Sequence, residues 1–223
     1  MTNQISRGRF VTLEGGEGAG KSTQAARLAA RLRARGIESL LTREPGGSPL
    51  AEEIRGVILS GAVAPLGPAA EAIMFSAARI DHLDRTIRPA LARGDWVICD
   101  RFADSTRAYQ GALGNLDPRF MRELERVTVA GSTPDLTLVI DVPAEVGLSR
   151  ARARSASADR FEAEAQSFHE ALRRAFLDIA AAEPGRCAVV DGSAAPEAVE
   201  EAIWAAVSER LLVVAPRRPG DAA

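Results

Sequence analysis

Eight consecutive residues, Gly15-Gly16-Glu17-Gly18-Ala19-Gly20-Lys21-Ser22, have the types and spacing needed to hold a polyphosphate. They fit the pattern G-x-x-x-x-G-K-[ST]. Glycine lets the backbone curl until successive N–H groups converge on phosphate oxygens. A helix opening at Lys21 adds unpaired donors and the positive end of its dipole. In such a loop the lysine reaches the β- and γ-phosphates and the serine hydroxyl binds Mg²⁺. The expected chemistry is therefore phosphoryl transfer from ATP, with contacts along Gly15 to Ser22 and the following Thr23. Composition points to the same place. Of 28 Lys and Arg residues only one is lysine, and it is Lys21. A planar guanidinium cannot replace a compact ammonium on a thin stem.

Two further groups of residues suit phosphate chemistry. Asp100 ends an apolar run, where a carboxylate can attend Mg²⁺ or its waters. Arg101 follows, with a fork that can grip a phosphate bidentately. Further on, Arg150, Arg152 and Arg154 alternate with alanine, ahead of Ser155-Ala156-Ser157-Ala158-Asp159-Arg160. Arg150 and Arg154 share a helix face. On the residues alone they read as a solvated basic helix end or as a closing lid.

These groups need a scaffold. Arg9–Glu14, Glu38–Thr42, Trp96–Asp100, Leu136–Asp141 and Cys187–Val190 read as strands. Helical patterns cover Lys21 to about Arg35, Leu50–Leu59, Ala69–Ala92, Pro118–Ala130, Ala144 to about Ala153, Ala163–Ala182 and Glu197–Val213. Strands alternating with helices predict an α/β fold, a five-stranded parallel sheet between two helical layers. Ligands bind such sheets beyond the carboxyl ends of the strands. The loop, Arg43–Gly47, Asp100-Arg101 and the segment after Asp141 all fall there.

The chain has 223 residues, 46% hydrophobic and 26% charged, with formal net charge −2. That suits one globular kinase domain over 1–215, with a lid at about 150–163 and a disordered tail at 216–223. A nucleic-acid partner would call for a basic excess. No run nears the ~20 apolar residues of a membrane span, and no signal peptide is read at the start. Two cysteines are too few for a disulfide framework, so a reduced, cytoplasmic setting is expected.

The set Phe10-Val11-Thr12-Leu13-Glu14-Gly15, the phosphate loop, Thr42-Arg43-Glu44-Pro45-Gly46-Gly47, Asp100-Arg101 and Ser105-Thr106-Arg107-Ala108-Tyr109-Gln110-Gly111 resembles the bacterial thymidylate kinases. The resemblance runs from about Arg9 to about Arg210. It implies the P-loop NTPase fold, transfer of the ATP γ-phosphoryl group to dTMP with Mg²⁺, and a homodimer. It gives Phe75 the role of stacking on thymine, where the residues alone suggest core packing beside Ile73. Arg79, one turn on, matches the reader of the thymine carbonyl. Thr106 and Gln110 match base contacts, and Ser105 and Glu44 belong to the same acceptor set. Tyr109, the only tyrosine, matches the residue that crowds the sugar 2′ position. Arg101, Arg43 and Arg55 match acceptor phosphate contacts, and Glu17 matches the acceptor of the sugar 3′-OH.

The loop carries no basic residue at Glu17, Gly18 or Ala19. The chain therefore resembles the subgroup whose catalytic arginine comes from the lid. Arg154 is the expected catalytic arginine beside Lys21 and Arg101, with Arg150 toward ATP and Arg152, Asp159 and Arg160 around it. Lid closure excludes water and limits ATP hydrolysis. One rival is a P-loop kinase for another nucleoside monophosphate. Another is a GTPase-like regulator, but the N-K-x-D guanine reader needs a second lysine.

Overall fold

The computed structural model describes residues 7–154, 161 and 164–212. The tail expected at 216–223 lies outside them, as do the lid residues Asp159 and Arg160.

Five parallel strands form one sheet: β1 (Phe10–Glu14), β2 (Ser39–Arg43), β3 (Trp96–Asp100), β4 (Leu136–Asp141) and β5 (Cys187–Asp191). Their order is β2-β3-β1-β4-β5. β1 is central, so all five of its residues are buried, the pattern of a strand covered on both faces. Register brings the strand ends level: Leu13 pairs with Asp100, Arg43 with Asp100, and Glu14 with Val139. The expected fold class is observed.

Alternation along β1 divides its contacts between the two faces. Val11 and Leu13 pack with Leu28 and Leu32 of α1 (Lys21–Arg33), and with Ile203 and Val207 of the last α-helix. Phe10, on the other face, packs with Leu83, Ile87 and Phe102. Also on that face, Thr12 hydrogen-bonds Thr137, and Glu14 accepts from Phe102 and Ser105.

The helices in chain order are α1, α2 (Pro49–Leu59), α3 (Pro68–His82), α4 (Arg88–Ala92), α5 (Ala103–Thr106), α6 (Pro118–Val129), α7 (Ala144–Arg154), α8 (Gln166–Ala182) and α9 (Pro196–Val207). Several boundaries correct the sequence pattern. β2 starts and ends one residue later than expected, because its ladder to β3 sets Ser39 opposite Trp96. The single helix expected over Ala69–Ala92 is interrupted by a wide π turn at Leu83–Ile87. Pro89 follows that turn; it has no N–H to donate and crowds the turn before it. The last helix ends at Val207 and continues as a π turn over Ser208–Leu212. The largest difference is the helical segment formed by α5 and a π turn over Arg107–Leu113, for which no helix was predicted.

Candidate active site

The phosphate loop turns out of β1 into α1 at the centre of the sheet. Gly20, at φ 91°, makes the left-handed step into α1. Gly18 is also left-handed, and a Cβ there would lie 1.9 Å from the Gly147 carbonyl oxygen. The loop therefore rests directly on α7. Lys21 is 7% exposed and donates from Nζ to the carbonyls of Gly16 (2.7 Å) and Gly15 (3.1 Å). Burial lowers its pKa to about 8, and the positive charge of Arg101 adds to the fall. A phosphate beside it would raise it again.

Ser22 donates its hydroxyl to Asp100, so the two residues expected at Mg²⁺ are in contact, the first turn of α1 against the end of β3. Their oxygens are the hard donors that Mg²⁺ takes, so the residues fit the ion. Among the described residues there is no cluster of three or more His, Cys, Asp or Glu that could hold a metal by itself. Thr23 is exposed on the first turn of α1.

Arg101 adopts a left-handed conformation, φ 70°, which non-glycine residues rarely take. Its Nη2 donates to Glu17 at 2.5 Å, and its Nη1 to Gly15 O and Ser105 Oγ, both at 3.2 Å. Its guanidinium lies 5.3 Å from the Tyr109 ring centre. The Tyr109 hydroxyl donates to the same Glu17 oxygen at 2.7 Å. Burial alone would raise the Glu17 carboxyl. Arg101, Lys21 and the Tyr109 hydroxyl outweigh it and hold Glu17 at about 2. Burial opposes the Arg101 charge, and Glu17, Tyr109 and Asp100 more than offset it, so its pKa is raised.

A cleft opens beside this group. Its wall includes Phe75, Arg79, Thr106, Gln110, Arg43, Arg55, Leu59 and Pro45. Phe75 is half-buried on the cleft wall rather than packed in the core, while Ile73 points outward at 51% exposure. Arg79 is buried. Its Nε donates to Glu44 (2.7 Å), and its Nη2 to Thr106 (3.0 Å) and the Phe102 carbonyl (3.2 Å). Among the described residues its Nη1 has no partner. Glu44, expected as an acceptor contact, is engaged by Arg79 and His82 and so positions Arg79. The structure also shows the Glu44–Pro45 bond to be cis.

The unpredicted helix explains one wall of this cleft. Ser105 and Tyr109 lie four residues apart and face the loop; Thr106 and Gln110 lie four apart and face Arg79 and Glu71. Arg43 pairs with Glu52 at the exposed rim, and Arg55 donates to the Pro45 carbonyl at 2.7 Å.

Arg150 of α7 donates to the carbonyls of Gly192 (2.8 Å) and Ser193 (3.3 Å) after β5. Arg152 is exposed. Arg154 is the last residue of α7, and its side chain lies outside the described residues, as do Asp159 and Arg160.

Sequence reasoning missed three residues at the site. Phe161 lines the cleft and meets Tyr109 edge-on at 5.3 Å. His82 braces Glu44 from a buried position. Glu14 lies beneath Arg101. The first two have no local signature. Glu14, a carboxylate ending an apolar strand, does.

A phosphate loop at the centre of this sheet, facing an arginine-lined cleft for a second substrate, defines a P-loop phosphotransferase for small molecules. A family profile described as Thymidylate kinase matches residues 13–203. Thymidylate kinases of Bradyrhizobium diazoefficiens (54% identical, 92% of this chain and 91% of the relative) and Afipia carboxidovorans (55%, 95% and 94%) are similar throughout. The solved thymidylate kinase of Ehrlichia chaffeensis superposes with a TM-score of 0.74 at 30% identity, covering 90% of this chain and 99% of that one. The chain belongs to the thymidylate kinase family.

Proposed function

We propose that the chain transfers the γ-phosphoryl group of ATP to the phosphate of dTMP, giving ADP and dTDP on the way to dTTP. One observation carries the reading: Glu17, a donor-loop residue, is bound by Arg101 and Tyr109 from the acceptor side. The loop thereby faces both substrates, as a direct transfer requires.

The roles follow from position. Gly15 to Gly20 and Ser22 wrap the ATP phosphates with backbone N–H groups, Lys21 neutralises them, Thr23 extends the site, and Arg150 lies on the donor side. Arg101, with Arg43 and Arg55 at the rim, takes the acceptor phosphate. That phosphate is itself the nucleophile and is already anionic near neutral pH, so no covalent enzyme intermediate is needed. Phe75 stacks on the base, Nη1 of Arg79 points to its carbonyl, and Thr106 and Gln110 line the pocket. Glu17, ionised down to about pH 2, accepts from the 3′-OH, while Tyr109 crowds the 2′ position. The rate then comes from alignment and charge neutralisation. Arg154 adds positive charge at the transferred group, with Arg152, Asp159 and Arg160 around it in a lid over about 150–163.

Mg²⁺ would be held by Ser22 and Asp100, and when bound it would neutralise phosphate charge during transfer. A homodimer fits the exposed apolar residues of α2 and α3: Leu50, Val57, Ile73 and Ile80 are 42–51% exposed. Both cysteines are free, which fits a reduced cytoplasm, and no described helix is long and apolar enough to cross a membrane. We read residues 1–215 as a single domain.

The test is ADP release from ATP with dTMP, dUMP, UMP, CMP or AMP as acceptor. We expect dTMP to be turned over fastest. Faster turnover of CMP or AMP would refute the assignments of Phe75, Arg79 and Tyr109.

A further inference from the structure

Glu14 is fully buried, immediately before the phosphate loop, and none of the steps above uses it. Its Oε1 accepts the Phe102 N–H at 2.7 Å, and its Oε2 accepts the Ser105 hydroxyl at 2.6 Å. Both donors flank Arg101. We propose that Glu14 is a positioning residue for the transfer: it pins the left-handed turn at Arg101 and aims the Ser105 lone pairs at the Arg101 guanidinium. This rests on the reading of Arg101 as the contact to the acceptor phosphate.

The backbone carries the first half of the argument. A left-handed arginine costs about 1–2 kcal/mol and persists only where its surroundings impose it. Here two successive N–H groups of the turn are captured by the end of β1: Arg101 N–H by Leu13 O (2.9 Å), and Phe102 N–H by the Glu14 carboxylate. The Phe102 ring is anchored against Phe10 with centroids 4.9 Å apart. Pleating explains why Glu14 can do this. It shares the face of β1 with Phe10 and Thr12, beneath α5, while Leu13 and the loop's exit face α1.

The hydroxyl carries the second half. Ser105 has one proton. Because that proton goes to Glu14, Ser105 Oγ can only accept from Arg101 Nη1, as it does at 3.2 Å. The other acceptor of Nη1 is Gly15 O, the residue after Glu14. The guanidinium is thus fixed twice to the end of β1: directly through Gly15, the first residue after it, and by relay through Glu14, its last. The acceptor's phosphate clamp is registered to the donor's loop. Burial, with Asp104 nearby, raises the Glu14 carboxyl above the usual range. That value is about 8, so the acceptor-only carboxylate, which takes both hydrogen bonds at once, is the form present above about pH 8.

Glu14→Gln tests the idea. A glutamine offers one acceptor and one donor, so either amide orientation sets it donor-to-donor against Phe102 N–H or turns the Ser105 proton toward Arg101. Steady-state kinetics and thermal melting of the full chain, Glu14→Gln, Ser105→Ala and the double variant, all at about pH 9 where Glu14 is ionised, give the readouts. We expect Glu14→Gln to raise KM for dTMP about tenfold, equal to about 1.4 kcal/mol. KM for ATP should stay within about twofold and the melting temperature should not fall. In the double variant KM for dTMP should not exceed that of Glu14→Gln, because the misdirected proton is gone. An unchanged KM for dTMP overturns the proposal. So does a joint rise in both KM values with a lower melting temperature, or full multiplication of the two single effects. The unaltered chain separates the two readings: no dTMP-dependent ADP release there overturns both, whereas turnover there with an unchanged KM in Glu14→Gln overturns this one alone.

Discussion

Gly147→Ala would separate activity from stability. Gly147 is buried in the first turns of α7, facing the phosphate loop. A Cβ there would lie 2.4 Å from the Glu17 carbonyl oxygen. Carbon and oxygen settle at about 3.3–3.6 Å even in weak hydrogen-bonded contacts, so α7 or the loop must retreat by about 1 Å. Overpacking of this kind costs about 1–3 kcal/mol. Replacing a helical glycine by alanine returns about 1 kcal/mol. The two nearly offset, and the melting temperature should move by only a few degrees. Activity has no such offset. A displacement of about 1 Å at a transfer site can cost on the order of 10²-fold, and both the loop and the helix bearing Arg150, Arg152 and Arg154 are displaced here. We expect kcat to fall at least tenfold in a dTMP-dependent ADP-release assay while the folded fraction stays unchanged. Gly18→Ala is the contrast. It adds a left-handed φ of 66° to a Cβ only 1.9 Å from the Gly147 carbonyl oxygen, so stability should fall as well. A Gly147→Ala protein with kcat and both KM values within twofold of the parent would refute the argument that the loop rests rigidly on α7.

Three other outcomes follow. Tyr109→Ala removes the ring proposed to crowd the 2′ position and a donor to Glu17; it should narrow the preference for dTMP over its ribonucleotide analogue, and an unchanged ratio places that discrimination elsewhere. Arg154→Ala should lower kcat far more than ATP affinity, because the role proposed for it acts mainly in the transition state; equal losses measured by kinetics and calorimetry would point to a ground-state role. Glu14 keeps its proton up to about pH 8 in the fold, against 4.5 in the unfolded chain, because burial disfavours its charge. Its stabilising share is therefore complete below about pH 4.5 and lost as pH rises through about 8. The melting-temperature advantage of Glu14→Gln over the parent should widen from pH 5 to pH 8, and parallel curves would show that the carboxyl is not shifted.

How much of the site can be seen in the chain depends on whether its contacts are local. The phosphate loop is contiguous, and glycine, lysine and serine report its chemistry at fixed spacing. The buried strands are legible for a similar reason: Trp96–Asp100 and Leu136–Asp141 are apolar throughout because both faces are covered. The segment Ala103–Leu113 is not legible. It is a four-residue helix running into a π turn, too short and irregular for a 3.6-residue period, and its small polar residues serve the cleft rather than a core. Its helical pairs, Ser105 with Tyr109 and Thr106 with Gln110, appear only once α5 is placed over β1.

Arg101 shows where local reading stops. Its identity and its place after an apolar strand mark it as a phosphate ligand. Its usefulness depends on a left-handed turn, and nothing within Asp100-Arg101-Phe102 favours one. The cause lies 88 residues earlier, where Leu13 and Glu14 at the end of β1 present a carbonyl and a carboxylate to successive N–H groups of the turn. That register also lays the last residue of β2, Arg43, opposite Asp100. Strand order, which no local pattern encodes, thus converts a carboxylate at the end of β1 from a strand terminus into the support of the turn at Arg101, the proposed acceptor contact. The same carboxylate at the end of an edge strand would be solvated and would position nothing.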